Sequence, residues 1–138
     1  MRISKKTQYG LRGMVYLASV SGKGEVCPLK RISEKENISF DYLEKIFSKL
    51  EKAGLVKAKR GVQGGYYLSR SPRKISVGEI IRVLEKTMAP VRCIAIEKKE
   101  RYNCPRKKIC KTLNIWQKIQ KTLNSTLNSI TLMSLIKK

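Results

Sequence analysis

Ser39-Phe-Asp-Tyr-Leu-Glu-Lys-Ile-Phe-Ser-Lys-Leu-Glu-Lys-Ala-Gly54 is the stretch on which the fold turns. Leu43, Ile46, Phe47 and Leu50 recur at i, i+3, i+4 and i+7, the spacing of one apolar helix face. Asp41, Glu44, Lys45, Ser48, Lys49 and Lys52 occupy the other face. Ser39 stands where an N-cap hydroxyl accepts from the first free amides, and Ile38 and Leu43 have the N′–N4 spacing of a hydrophobic staple. Gly54 stands at the position that ends a helix in the left-handed conformation. The prediction is an amphipathic helix from Phe40 to Ala53.

The pattern extends in both directions. Upstream, Leu29 to Lys35 predicts a short helix closed by a turn at Glu36-Asn37. Before it, Lys6 to Val20 predicts a helix with Leu11, Met14, Val15 and Ala18 inward, ended by Gly22 and Gly24. Glu25-Val-Cys27 reads as a short extended piece. Downstream, Leu55–Lys59 and Tyr66–Arg70 read as two strands joined by Arg60-Gly-Val-Gln-Gly-Gly65. Helix, turn, helix and basic hairpin is the order of a winged helix. Ser76-Val-Gly-Glu79 is a capping box that opens a further helix, with Val77, Ile80, Ile81 and Leu84 facing inward.

Residues 87–104 carry no periodicity and contain Pro90, Cys93 and Cys104. A long helix is predicted to start after Pro105. Ile109, Leu113, Trp116, Gln120, Leu123, Leu127 and Ile130 follow one another at alternating steps of four and three, a heptad-like seam with one polar interruption. Such a seam serves either to cap the core or to pair two copies, and its length favours pairing. Thr131 caps a last short helix, Leu132 to Ile136. The expected fold is therefore mainly α with a small β wing. A winged helix-turn-helix domain spans 1–86, a cysteine-bearing loop 87–104 (continuing to Cys110), and a dimerisation helix with a short C-terminal helix 105–138.

Charge and composition narrow the function. The 138 residues include 31 Lys or Arg, 10 Asp or Glu and no His, a formal net charge of +21. Such an excess points to a polyanion, foremost nucleic acid, because neutralised phosphates release counterions. Residues 1–74 hold 17 basic and 6 acidic side chains and residues 75–138 hold 14 and 4, so the excess does not locate the binding face. From Arg101 to the end there are nine basic residues and no acid. Without His there is no Ser-His-Asp triad, Cys-His pair or His general base, and ten scattered carboxylates argue against a two-acid hydrolase. An enzyme is not expected. The charged start has no apolar core of a signal peptide, and no apolar run approaches a membrane span. Four Cys without an export signal predict reduced thiols in the cytoplasm.

Within a helix-turn-helix, the first turn of the second helix meets base edges and the wing follows the backbone or enters the minor groove. The candidate DNA contacts are Ser39, Phe40, Asp41, Tyr42, Glu44, Lys45 and Lys49 on the helix, with Arg60, Gly64 and Gly65 on the wing. Ser39 and Tyr42 can donate to phosphate or base edges, and Glu44 can accept from a cytosine amine. Asp41 and Glu44 can equally serve only to offset the helix dipole. Arg60 is placed for a narrow minor groove, and the glycines permit a tight, close-approaching turn. A basic RNA- or ribosome-associated module is the competing class. The six Tyr, two Phe and one Trp form no stacking platform for it.

Tyr42-Leu-Glu-Lys-Ile-Phe-Ser-Lys-Leu-Glu-Lys-Ala-Gly-Leu-Val56, Arg60-Gly-Val-Gln-Gly-Gly-Tyr-Tyr-Leu68 and Ile75-Ser-Val-Gly-Glu-Ile80 closely resemble the bacterial winged-helix regulators of the Rrf-two family, typified by IscR and NsrR. The resemblance runs from Met1 to about Leu132. It implies a homodimeric transcription factor whose long C-terminal helices cross and whose two heads read a pseudo-palindromic site in double-stranded DNA. Gln63 stands where many members have glycine, and Asp41 where a small hydroxyl residue is common.

Cys93, Cys104 and Cys110 are separated by ten and five residues. Thiolates hold iron–sulfur clusters or zinc, and neither spacing is a C-x-x-C. The resemblance implies that these three positions hold an iron–sulfur cluster, 2Fe–2S or 4Fe–4S, as in the cluster-binding members. Where some relatives supply a His as fourth ligand, this chain has Leu113. Where others recruit an acid from the partner's first helix, the matching residue is Gln8, the possible fourth ligand here. A thiol redox switch without a cluster and a zinc site are the alternatives. Cys27 stands apart and reads as a core thiol.

Overall fold

A computed structural model describes residues 2–21, 25–97, 99–100 and 102–137. The elements run α1 (Lys5–Val20), α2 (Leu29–Glu36), α3 (Phe40–Lys52), β1 (Val56–Lys59), β2 (Gly65–Leu68), α4 (Val77–Leu84), α5 (Leu113–Ser129) and α6 (Leu132–Ile136), with short 3-10 turns at Pro72–Lys74 and Arg92–Ile94. The expected winged helix is present.

The helix-turn-helix is built as its sequence dictates. Leu43, Ile46, Phe47 and Leu50 are the buried residues of α3. Ser39 accepts from the Tyr42 amide, and Gly54 takes φ +83° just past the helix. The turn from α2 goes through Asn37 at φ 55°, a conformation that Asn tolerates better than most residues. Arg12 reaches across from α1 to this turn, pairing with the Glu36 carboxylate at 3.2 Å and donating to the Glu36 carbonyl, while stacking over Tyr9.

The first helix differs from its predicted face. Its buried residues are Thr7, Gly10, Gly13, Met14, Leu17 and Ala18, while Leu11 and Val15 are only partly covered. The two glycines shift the face. A Cβ on Gly13 would come within 2.9 Å of the Phe47 ring, and one on Gly10 within 2.3 Å of Leu84. They let α1 lie directly against α3 and α4. The glycines predicted to end α1, Gly22 and Gly24, lie outside the described residues; the helix reaches Val20, with Ser21 as C-cap.

The wing pairs β1 and β2 antiparallel, with Val56 opposite Leu68 and Lys59 opposite Gly65. The predicted extended piece adds to its edge: Cys27 and Tyr66 exchange both backbone hydrogen bonds, at 2.8 and 2.9 Å. Ser76 caps α4 through the Glu79 amide at 3.1 Å. The Glu79 carboxylate goes instead to Arg70 at 2.7 Å, so the capping box is half used for tying α4 to the wing's exit.

The long C-terminal helix begins at Leu113, eight residues past Pro105, whereas the sequence suggests a start directly after that proline. Residues 105–109 form successive turns instead. Arg106, Lys107, Lys108 and Lys111 would crowd the N-terminal end of an extended helix, where the dipole disfavours cations. At its other end α5 returns to the head. The Val77 amide donates to Ile130 O at 2.8 Å and the Leu132 amide to Ile75 O at 3.0 Å. Leu132 is thereby fully buried in the same core as Met14, Phe47 and Ile80. Among its described residues, α5 itself has none buried.

Candidate DNA interface and cysteine loop

The outer face of α3 is set by its inner one. With Leu43, Ile46, Phe47 and Leu50 pinned in the core, Ser39, Phe40, Asp41, Glu44, Lys45 and Lys49 are exposed. Tyr42 is turned toward the body: its ring meets Tyr9 edge to face at 5.6 Å, and it lines an open groove of about 920 Å³ with Ile3, Ile81, Leu84, Leu123 and Leu127. Glu44 lies on the wing side of the helix, where its charge, after burial and Glu51, helps raise the Tyr66 phenol.

Lys49 has a neighbour that sequence spacing does not reveal. The Lys6 ammonium at the start of α1 is held below the usual lysine range by its contact with Lys49, by partial burial and by the Lys49 charge; Glu85 opposes the shift. Two cations held side by side make a favourable position for an anion such as a backbone phosphate. Glu85 is itself fixed. Burial draws its carboxyl upward, but the Ser4 and Thr7 hydroxyls, the Ser4 amide and the Lys6 charge outweigh that and hold it below the usual carboxylate range.

On the wing, the Arg60 guanidinium is 84% exposed and stands 3.8 Å from Glu51, a loose surface pair of little energetic weight. Gly61 takes φ +112°, and the Gly64 amide donates to Gly61 O at 3.0 Å. A Cβ on Gly64 would lie 2.2 Å from Lys59 O, and one on Gly65 2.4 Å from Cys27 O. Both glycines therefore have packing reasons within the protein: Gly64 closes the loop and Gly65 admits the Cys27 edge.

Cys93 lies on the 3-10 turn after Val91. The segment around it is closed on itself by Tyr102 N to Arg92 O at 3.3 Å, by Arg92 over the Tyr102 ring at 5.3 Å, and by Thr87 to Glu97 at 2.8 Å. Cys104 starts the run of turns, accepting from the Lys107 amide at 3.1 Å. Cys110 sits two residues before Thr112, the N-cap of α5, with its sulfur 3.2 Å from the Thr112 hydroxyl. That hydroxyl, the Thr112 and Leu113 amides and the Arg106 charge hold the Cys110 thiol below the usual cysteine range. The thiolate is thus favoured at a helix N-terminus among cations, the setting of a ligand or reactive sulfur.

All three loop thiols are half-buried and free. Among the described residues, no group of three or more Cys, Asp or Glu is gathered closely enough to hold a metal ion. Gln8 donates its side-chain amide to Ile3 O at 3.0 Å. Cys27 is buried in the core, and burial raises its thiol while Arg31 opposes.

Among the described residues, no helix is long and apolar enough to cross a membrane. The family model described as "Rrf2: Iron-dependent Transcriptional regulator" matches residues 3–138. The chain is 38% identical over 136 residues to the HTH-type transcriptional regulator IscR of Sodalis glossinidius, covering 99% of this chain and 79% of that one. The solved structure of IscR from T. potens superposes with a TM-score of 0.73 at 39% identity, covering 99% and 87% of the two chains. That of CymR, the global cysteine regulator of B. subtilis, gives 0.77 at 39% identity, covering 99% and 97%. These relatives are regulators of transcription and not enzymes. With its reading helix, wing and C-terminal helix in the same arrangement, the chain belongs to the Rrf2 family of winged-helix, DNA-binding transcriptional regulators.

Proposed function

We propose that the chain acts in the cytoplasm as a homodimer on a pseudo-palindromic operator, and that an iron–sulfur cluster held by Cys93, Cys104 and Cys110 adjusts its grip on DNA. The observation that carries this reading is the seat of Cys110. Its stabilised thiolate stands at the head of α5, whose seam residues Trp116, Leu123 and Leu127 are left half-exposed by their own chain. Residues 1–86 then serve as the reading head, 87–104 as the sensing loop and 105–138 as the dimer arm. Ser39, Phe40, Asp41, Glu44 and Lys45 face base edges or phosphates, Lys49 a phosphate, and Arg60 the minor groove.

The donor chemistry suits a cluster. Two of the three thiols, Cys104 and Cys110, lie in the acid-free stretch from Arg101, in which Arg106, Lys107, Lys108 and Lys111 offset thiolate charge. A bound cluster supplies an iron centre that reacts with oxygen or nitric oxide. Gln8 of the partner subunit is the candidate fourth ligand; its amide nitrogen donates to Ile3 O, so the ligating atom would be its amide oxygen.

A second reading has its own support: the three thiols are not gathered in this structure, as suits a regulator working by thiol oxidation or a protein partner without a cluster. Anaerobic purification followed by iron and sulfide analysis separates the two. Iron and acid-labile sulfide that are lost on replacing any of the three Cys by Ala are the expected result. Colourless protein whose operator binding responds to a thiol oxidant would establish the second reading. Iron unaffected by all three replacements would refute the ligand set.

A further inference from the structure

Val62 is fully exposed, the most exposed of the large apolar residues described. It stands at the apex of the wing, two residues beyond Arg60 and next to the exposed Gln63. The loop that carries it is closed at its base by the Lys59–Gly65 pair and across its middle by the Gly64 amide on Gly61 O. Gly64 has no room for even a Cβ against Lys59 O. Val62 itself is β-branched and stiff at χ1. The wing thus presents a pre-set apolar knob beside an exposed guanidinium. Lys57, Lys59 and Arg60 around it oppose pairing between two such wings and favour an anionic surface.

We propose that Val62 is a specificity-determining residue that selects A·T over G·C at the base pairs beneath the wing. This rests on the reading that the wing enters the minor groove. There an A·T pair presents acceptors only, which Arg60 can satisfy, and its narrow walls offer sugar carbons to the valine methyls. A G·C pair projects the guanine N2 amine from the groove floor. Val62 has no acceptor, so it blocks the amine sterically and strips its water without replacing the hydrogen bond.

The test uses the full chain and three versions of its selected operator, carrying A·T, G·C or inosine·C at the positions that footprinting places under the wing. Inosine·C keeps the major-groove edge of G·C but lacks the amine. The wild-type chain is expected to bind the A·T and inosine sites alike and the G·C site about tenfold more weakly, the size of one buried donor left unpaired. Val62→Ala should reduce that discrimination to about twofold, in keeping with a smaller contact at the amine. Its melting temperature should be unchanged, since nothing packs on Val62. Tenfold discrimination retained by Val62→Ala, or inosine·C binding as weakly as G·C, would overturn the proposal. Arg60→Ala separates the two levels: undiminished affinity for all three sites would show that the wing is not in the groove at all. A loss at all three, with discrimination unmoved by Val62→Ala, would sink only the role of Val62.

Discussion

Gly65→Ala distinguishes two reasons for a glycine in the wing. Its sequence setting suggests close approach to DNA, whereas the structure places its Cα against the protein's own backbone. A methyl group there would lie 2.4 Å from Cys27 O, 2.5 Å from Cys27 C and 2.8 Å from Pro28 N. None of these is a flexible side-chain end. Restoring van der Waals distance requires the 25–28 segment to move off the wing by about 1 Å. The two Cys27–Tyr66 bonds, now 2.8 and 2.9 Å, then exceed hydrogen-bonding range. Two lost bonds at about 1 kcal/mol each give a destabilisation of about 2 kcal/mol. For a chain of this size that corresponds to roughly 6–10 °C in Tm. Gly54→Ala is the control: it has nothing within 4 Å and only its φ of +83° to accommodate, which costs about 1 kcal/mol. Urea denaturation of both variants, with hydrogen exchange at the Cys27 and Tyr66 amides, measures the effect. A Gly65→Ala chain with unchanged urea midpoint and protected amides, but weakened DNA binding, would refute the packing account and restore the DNA-approach one.

Leu132→Ala should destabilise the whole head by about 2–5 kcal/mol, the range for emptying a fully buried leucine site, although it lies beyond α5; a loss below 1 kcal/mol by urea denaturation would show that α6 is not part of the core. Glu51→Gln releases Arg60 and should strengthen duplex binding by up to about threefold, within the weight of an exposed ion pair. Anisotropy titrations should find that gain absent in an Arg60→Ala background, and a gain that persists there contradicts the pairing. Lys6→Gln should reduce the slope of log Kobs against log salt by about 1 if the Lys6–Lys49 pair holds one phosphate; an unchanged slope excludes Lys6 from the interface. Glu85→Gln should be less stable than the parent above the ordinary glutamate pKa of about 4.3, because a carboxyl whose folded pKa is depressed contributes there and loses that contribution as pH falls through the folded value. Melting the two proteins across pH 2–7 should show their difference closing on the acid side, and a pH-independent gap would mean that the Ser4–Thr7–Glu85 cluster acts through shape rather than charge.

What was legible in the sequence was local. Ser39, the four apolar residues of α3 and Gly54 each act within one helix, so their spacing alone fixes cap, face and stop. The same holds for Thr131 and α6, where the hydroxyl accepts from the Ser134 amide at 3.2 Å. Apolar spacing places the face of α1 one step off because a glycine shows no hydrophobicity, and Gly10 and Gly13 contribute by being absent as side chains. Hydrophobic spacing starts α5 too early because the apolar seam continues back to Ile109, while the cations that oppose a helix there are invisible to a hydrophobic period. The place of Tyr42 in the first turn suggests a DNA contact; its edge-to-face contact with Tyr9 depends on how α1 crosses α3 and leaves no trace in the spacing. The Lys6–Lys49 pair and the Cys27–Gly65 contact join distant segments and leave no periodic trace.

The way α5 is anchored bears on how a loop thiol can influence a reading helix. At one end, the Thr112 hydroxyl and the Thr112 and Leu113 amides hold Cys110. At the other, Ile130 O accepts from the Val77 amide at the head of α4, and Asn128 bonds Arg82 at 2.8 Å. A Cβ on Gly78 would meet Asn128 Oδ1 at 2.2 Å, so the Asn128 side chain lies directly on α4. Between these anchors lie 17 helical residues, a rod of about 25 Å. The rod thus links Cys110 to the start of α4, and α4 packs through Leu84 on Gly10 of α1, which in turn carries Phe47 of α3 against Gly13. Each joint in that path is a glycine against a side chain, a close-packed contact of the kind that passes on strain. Enlarging one joint by Gly78→Ala should accordingly separate sensing from reading: operator affinity ought to stop responding to the state of the loop thiols while the thiols themselves still react, and a response of undiminished size would show that the signal travels by another route.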